Sequence, residues 1–274
     1  MRTGVIGLGQ IGSGIALCLA RAGQLSAVYD VRSDASERLE GVSPVAASPA
    51  EVGKVSDVIV IAVVSAAQTI DVLSGETGLL ATARPGQSII LVATVSLDDL
   101  AQIRTLTDAA GVALIDSGVV GGLHAANNGL ICLVGAEDDV LKHAMPAFDG
   151  FVRYVAHLGG PGAGMAGKVI YNSIYAASLR AGRDGETLAK AVGVDARALE
   201  QVFKDSAESV GGPLRFVAAT DPATSPAEAA RRKEMSVMMK KDLDAALAMA
   251  RANDVKLPVV EYTRETVLEV IGIA

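Results

Sequence analysis

Glycines 7, 9 and 12 form the stretch Gly7-Leu8-Gly9-Gln10-Ile11-Gly12, between a short apolar run, Thr3 to Ile6, and an Ala/Leu-rich segment that ends near Gly23. A strand, a glycine turn and a helix in that order can bind a pyrophosphate. Gly7 permits the tight turn, Gly9 lets the backbone approach the phosphates, and Gly12 lets the helix pack closely on the sheet. Amides at the helix N-terminus then face the negative charge. A glycine-rich turn without a ligand is the bland alternative, and a second feature weighs against it. The next apolar run, Ser26 to Tyr29, ends at Asp30, about 20 residues beyond the turn, where a carboxylate accepts hydrogen bonds from the adenine ribose hydroxyls. Such an acid repels a 2′-phosphate, so NAD is expected in preference to NADP. Arg32 either pairs with a phosphate or lies solvated beside the adenine. The expected cofactor contacts are Gly7, Gly9, Gln10, Ile11 and Gly12 in the turn, and Asp30, Val31 and Arg32 after it.

Positioning these groups requires a particular succession of elements. Val58 to Val64, Ser88 to Ala93 and Ala113 to Ile115 continue the series of short, mostly apolar runs expected of strands buried on both faces. Helical signals lie between them. Ser48-Pro49-Ala50-Glu51 places an N-cap hydroxyl, a proline at the first helical position and a glutamate at N3. Ser96 followed by Asp98 and Asp99 repeats the logic, and Gly111 is a plausible stop. Strand and helix in alternation predict an α/β fold, a Rossmann-type doubly wound parallel sheet with right-handed crossovers. Beyond the breaker Gly159-Gly160-Pro161-Gly162 the strand signal ends and an Ala-rich helical pattern takes over. The expectation is a dinucleotide-binding domain over 1–162 and an all-α domain over 163–274. In the latter, Ala181 to Gly185 bends or interrupts the first helix, Asp221 to Pro226 forms a loop, and the final helices run from about Pro226 to Asp254 and from Val259 onward.

Composition narrows the functions open to this chain. Its 274 residues suit one or two domains, and with half of them apolar and a fifth charged they can bury a sizeable core. A formal charge of −7, 3% aromatics and no Trp argue against nucleic acid, since there is neither a basic surplus nor a stacking platform. Cys18 and Cys132 sit in apolar stretches without Cys or His neighbours at metal spacing, so buried thiols in a reducing cytoplasm are expected and no metal site is. The run Val58 to Val64 is too short to span a bilayer, and the first strand starts too near Met1 to leave room for a signal peptide.

Four segments together resemble the β-hydroxyacid dehydrogenase family, which includes 3-hydroxyisobutyrate dehydrogenase and tartronate semialdehyde reductase and, more distantly, 6-phosphogluconate dehydrogenase and the imine reductases. They are Gly4-Val-Ile-Gly-Leu-Gly-Gln-Ile-Gly12, Asp116-Ser-Gly-Val-Val-Gly-Gly122, Gly162-Ala-Gly-Met-Ala-Gly-Lys168-Val-Ile-Tyr-Asn172 and Lys241-Asp242-Leu243. They occur in the family's order across essentially the whole chain, which is far more specific than any one of them. The resemblance implies that Lys168 is the general acid/base and that Asn172, one helical turn later, orients it or the substrate. A partly desolvated lysine has its pKa lowered toward neutrality and can serve either direction of the reaction. It further implies cofactor contacts at Val63 and Val64 beside the adenosine, Thr94 near the nicotinamide ribose and Lys241 at the nicotinamide end. For Lys168, Asn172, Thr94 and Lys241 the competing readings are an ordinary helix lysine, a packing amide, a helix start and a solvated pair with Lys240.

The second segment departs from the family's Asp-Ala-Pro-Val-Ser-Gly-Gly. Its proline falls on Gly118 and its substrate-binding serine on Val120, which cannot donate to a carboxylate. The amides of Gly121 and Gly122 remain as donors, with His124 nearby, and Tyr171 replaces the first asparagine of the lysine segment. Val120, Gly121, Gly122, His124 and Tyr171 are the expected substrate contacts. The implied activity is hydride transfer between NAD(P) and a small alcohol/carbonyl pair, a hydroxy acid and its semialdehyde or keto form. Reduction of a ketone or imine lacking the carboxylate, and a non-catalytic dinucleotide-binding protein, are the alternatives. A homo-oligomer formed through the helical domain is expected.

Overall fold

Alternation within the first strands decides the architecture. The computed structural model describes residues 1–273 except Arg38, Ser43, Val192, 206–224, Asn253 and Val255. Strands β1 (Thr3–Ile6), β3 (Val58–Ile61) and β4 (Ser88–Leu91) are buried at every residue. Successive side chains point to opposite faces. Val5, Val58, Val60 and Ile90 therefore enter one core cluster while Ile6, Ile59, Ile61 and Leu91 enter the other. A sheet covered on both faces follows. With β2 (Leu25–Tyr29), β5 (Ala113–Val120), β6 (Leu130–Gly135) and β7 (Val152–Gly159), its order is β2-β1-β3-β4-β5-β6-β7. The order reverses beside β1, whose Ile6 lies level with Ile61 of β3, and such a switch point opens a crevice at the carboxyl ends of the strands.

Helices α1 (Gln10–Arg21), α2 (Pro49–Val55), α3 (Ala66–Leu73), α4 (Leu97–Ala109) and α5 (Asp138–Asp149) flank the sheet. The Ser48 and Ser96 hydroxyls accept from the amides of Glu51 and Asp99, as the capping patterns require, and Gly111 adopts φ of +67° after α4. Two short 3-10 turns, Leu79–Thr82 and Gly122–Asn127, complete this part.

The chain divides into two compact units, Met1–Lys168 and Val169–Ala274. A long helix, α6 (Ala163–Ala191), starts in the first and continues in the second. The second unit adds α7 (Ala196–Asp205), α8 (Pro226–Ala252), α9 (Pro258–Glu265) and α10 (Val267–Val270), and its described residues contain no strand. Its main cluster joins Val169, Ala176, Leu243, Ala246, Val260 and Val267. Buried Arg232 pairs with Glu228 one turn earlier and donates to the Ile271 carbonyl.

Three elements differ from the sequence reading. The sheet is mostly parallel, with one antiparallel pairing, β5 with β6, and edge strand β7, where Arg153 and His157 interrupt the apolar residues and no residue is fully buried, carries no buried-strand signature. Helix α6 runs without interruption past Gly182 and Gly185, because a glycine inside a helix costs only about 1 kcal/mol, too little to break one of this length. The C-terminal helix is divided at Thr266. Residues 221–224 of the expected loop lie outside the described residues.

Candidate functional site

The glycine turn is shaped by close approach. Gly7 adopts φ of +91°, and a side chain at Gly12 would collide with the Gly7 carbonyl. A Cβ at Gly9, by contrast, would meet nothing within 4 Å. Gly9 caps α1 and no side chain fills that cap, so the helix opens on free space with its first amides directed outward.

Asp30 joins this turn to the end of β2. Its carboxylate accepts from the Leu8 amide at 2.6 Å, from the Arg32 amide at 2.9 Å, and from the Arg32 guanidinium at 3.0 and 3.2 Å. Burial pushes this carboxyl up, but the Arg32 side chain and the two amides outweigh it, holding the group below its ordinary value. Arg32 is itself mostly exposed. It therefore pairs with the acid, and releasing it to solvent costs little.

A cavity of about 550 Å³ lies against this turn. Gly7, Gly9, Asp30, Val31, Arg32, Val63 and Val64 all line it, bringing together the expected adenosine-side residues. Gln10, Ile11 and Gly12 do not line it. Gln10 is exposed on the first turn of α1, Gly12 is buried against Gly7, and Ile11 leans toward Gly122. Gln68, Asp71, Thr77 and Gly78 complete the wall. The sequence reading missed them because no motif marks the first turns after β3, although Ser65 four residues beyond Ile61 is a readable helix cap. An uncapped helix start, open space at Gly9 and an adjoining carboxylate suit a dinucleotide.

Farther along the sheet, β5 carries the second constellation. Buried Asp116 accepts from the amides of Gly162 (2.7 Å) and Met165 (2.8 Å) at the start of α6. At Gly118 a Cβ would lie 2.3 Å from the Lys168 Cβ and 2.7 Å from its Cγ, so the half-buried lysine runs its stem directly over this glycine. Val120 ends the strand opposite Ile131. Gly121 adopts φ of +86°, Gly122 opens the 3-10 turn, and His124 is exposed on it. Buried Ala125 of that turn packs against Gly14 of α1 and accepts from the Cys18 thiol. Thr94 lies half-buried between β4 and α4. Cys18 and Cys132 are free and buried, and burial pushes the Cys132 thiol up to about 12.

Within the second unit, the Asn172 amide donates to Asp242 at 2.7 Å, and Lys241 lies 3.6 Å from the same carboxylate. The structure thus joins Asn172 and Lys241 through Asp242, which the sequence reading quoted without a role. Adjacency to Lys241 was the only signal for it. Tyr171 stacks on Tyr175 with ring centroids 6.3 Å apart. Among the described residues no group of His, Cys, Asp and Glu could hold a metal ion, and no helix is long and apolar enough to cross a membrane.

Residues 2–159 match the family described as the NAD binding domain of 6-phosphogluconate dehydrogenase. An NAD-dependent L-serine dehydrogenase of Pseudomonas aeruginosa is 29% identical over 92% of this chain and 86% of its own. This chain belongs to the β-hydroxyacid dehydrogenase family. An uncharacterised oxidoreductase of Mycobacterium tuberculosis is 30% identical over 99% of this chain and 94% of its own. The fold is shared with a 3-hydroxyisobutyrate dehydrogenase of Mycobacterium tuberculosis solved with L-serine, at a TM-score of 0.81 and 22% identity over 99% and 96% of the two chains. As a β-hydroxyacid dehydrogenase the protein is an oxidoreductase that uses NAD.

Proposed function

We propose that this β-hydroxyacid dehydrogenase converts the hydroxyl of a small hydroxy acid to its semialdehyde or keto form, or the reverse, with Lys168 as the proton-transfer group. The observation that carries the reading is the lysine stem lying over Gly118, on the strand that leads into the Gly121-Gly122 turn. NAD supplies the acceptor for hydride in oxidation and the donor in reduction. The chain's own residues do the rest. The Gly7 to Gly12 turn and the N-terminus of α1 would hold the pyrophosphate, Asp30 the ribose diol, and Val31, Val63 and Val64 the adenine. Thr94 and Lys241 would contact the nicotinamide end. Gly121 and Gly122 would offer amides to the substrate carboxylate, and His124 and Tyr171 would be further substrate contacts. Lys168 takes the hydroxyl proton as the carbonyl forms, and Asn172, held by Asp242, orients the reacting group.

Val120 favours one second reading. Valine offers no donor where the family has serine, which suits a ketone or imine lacking the carboxylate. One assay separates the two. Purified protein with NAD is offered L-serine, L-threonate, 3-hydroxyisobutyrate and plain alcohols, and with NADH the matching carbonyls and imines, while nicotinamide absorbance is followed. Turnover confined to hydroxy acids and their carbonyl partners, and strongly reduced in Lys168→Ala, is the expected result. Turnover confined to substrates without a carboxylate gives the second reading. A protein that binds NAD and turns over nothing is a dinucleotide-binding protein without catalysis.

The assembly belongs to the same proposal. In the second unit Ile170, Ile174, Met249 and Leu257 border an apolar cavity of about 730 Å³, and Val237, Met238 and Val259 are exposed. A second copy pairing through these helices gives a homodimer, and two free thiols suit the cytoplasm. Sedimentation of a monomer at micromolar concentration would overturn the dimer.

A further inference from the structure

The first turn of α6 has an unusual cap. The Gly162 carbonyl accepts the first intrahelical bond, from Ala166, which makes Gly162 the N-cap residue. Glycine has no side chain with which to satisfy the exposed amides of the turn. The missing acceptor comes from another strand. Asp116 receives the amides of the N-cap residue, Gly162, and of the third helical residue, Met165, in one buried carboxylate. An aspartate at the cap position itself would satisfy that third amide in the same way. The helix start is also pressed onto the sheet, since a Cβ at Gly164 would lie 2.4 Å from the Asp116 carbonyl and 2.5 Å from that of Leu133. Lys168 follows Met165 by three residues, one turn along the same helix.

We infer that Asp116 is a positioning residue for Lys168, and that Gly118 sets the track of the lysine stem, so that strand β5 determines where the amine sits. The inference rests on Lys168 being the proton-transfer group. Asp116 fixes the height and rotation of the first helical turn through two amides. Two residues on, and so facing the same side of β5 as Asp116, Gly118 has no Cβ and leaves the groove in which Lys168 Cβ, Cγ and Cδ lie. Burial pushes the Asp116 carboxyl up against the opposing pull of the Gly162, Met165 and Gly164 amides. Each of its two oxygens meets a backbone amide of the helix start, so the geometry calls for an acceptor at both positions. Asparagine keeps the volume and turns one acceptor into a donor facing an amide.

The test reads the amine directly. Lysines are labelled by reductive ¹³C-methylation, the Lys168 resonance is identified by its absence in Lys168→Arg, and its titration is followed by NMR in the NAD-bound protein. kcat and the NAD dissociation constant are measured in parallel. In Asp116→Asn the resonance and its midpoint should move and kcat should fall at least tenfold, with NAD affinity within about twofold of wild type. Gly118→Ala should do the same by pressing directly on Lys168 Cβ and Cγ, and it carries the test if Asp116→Asn does not fold. Arg232→Met, in the other unit, should lower Tm without moving the resonance. A Lys168 titration identical to wild type in both β5 variants overturns the inference, whatever turnover does. Full turnover in Lys168→Arg and Lys168→Ala overturns the acid/base assignment instead, and the resonance shifts remain readable independently.

Discussion

Two helix starts in the first unit share one plan and differ in what fills them. Both α1 and α6 have a glycine N-cap, Gly9 and Gly162, and each stands near an aspartate, Asp30 just past the end of β2 and Asp116 within β5. At α1 the aspartate holds the Leu8 amide, two residues before the helix, and the first turn faces open space. At α6 the carboxylate enters the turn itself and is buried there. A helix N-terminus attracts an anion in either case. One is left open, where our proposal puts the cofactor's phosphates, and the other is satisfied internally by Asp116. The two acids accordingly shift in opposite directions, Asp30 down and Asp116 up.

If the α6 start serves the chemistry and the α1 turn serves cofactor binding, substitutions at the two should separate cleanly. The largest effect is expected for Lys168→Ala, where kcat should fall by on the order of 10²-fold or more while NAD binding stays near normal, as checked by steady-state kinetics and cofactor titration. Asp30→Ala should reverse the pattern. NAD affinity should drop about tenfold or more, by loss of hydrogen bonds to a charged group, and NADP affinity should drop less, since the released Arg32 can meet a 2′-phosphate. Equal losses for both cofactors in direct binding measurements would remove Asp30 from the selectivity argument.

A smaller change is expected at the end of β5. Val120→Ser should reduce kcat/KM on the best substrate of the panel by a few-fold, because an unpaired hydroxyl would face a pocket shaped around valine at the end of β5. A wild-type enzyme that already prefers 3-hydroxyisobutyrate, and is unaffected by serine, would show that valine at this position does not select against a carboxylate substrate.

The smallest effect is on stability and separates the two acids by sign. A carboxyl whose folded pKa is lowered contributes stability above its unfolded value, and that contribution is lost as pH falls through the folded pKa. Asp30→Asn should therefore lessen the loss of Tm below about pH 4. A carboxyl whose folded pKa is raised binds its proton more readily when folded, so stability is gained as pH falls through the folded pKa toward the unfolded value. Removing that gain, Asp116→Asn should steepen the fall of Tm over the interval just above the ordinary value of 3.8. Thermal melts at stepped pH check both signs in one experiment.

Much of the α1 side was legible without coordinates. Glycine spacing, the preceding apolar run and Asp30 are local features, and the backbone turn they specify needs nothing from elsewhere in the chain. Buried strands on both faces were readable for the same reason, as were the Ser48 and Ser96 caps. Strands β6 and β7 were not. β6 follows β5 through a 3-10 turn instead of a helix and pairs with it antiparallel, and β7, although joined to β6 by α5 as a parallel pair, is a largely exposed edge. Asp242 likewise gained its place only when α8 brought it to Asn172, 70 residues earlier in the chain.

The sequence by itself determined that there is a dinucleotide turn and which acid ends the next strand run, because the glycine spacing and the apolar runs are local patterns, and its resemblance to the family named the candidate lysine. Tertiary structure alone decided where that lysine points. The amides that anchor its helix are 46 and 49 residues from the Asp116 that holds them. No local pattern links such residues. Sheet pairing at the fifth strand and burial of the carboxylate bring them together, and a buried acceptor with two backbone donors has little freedom to settle elsewhere.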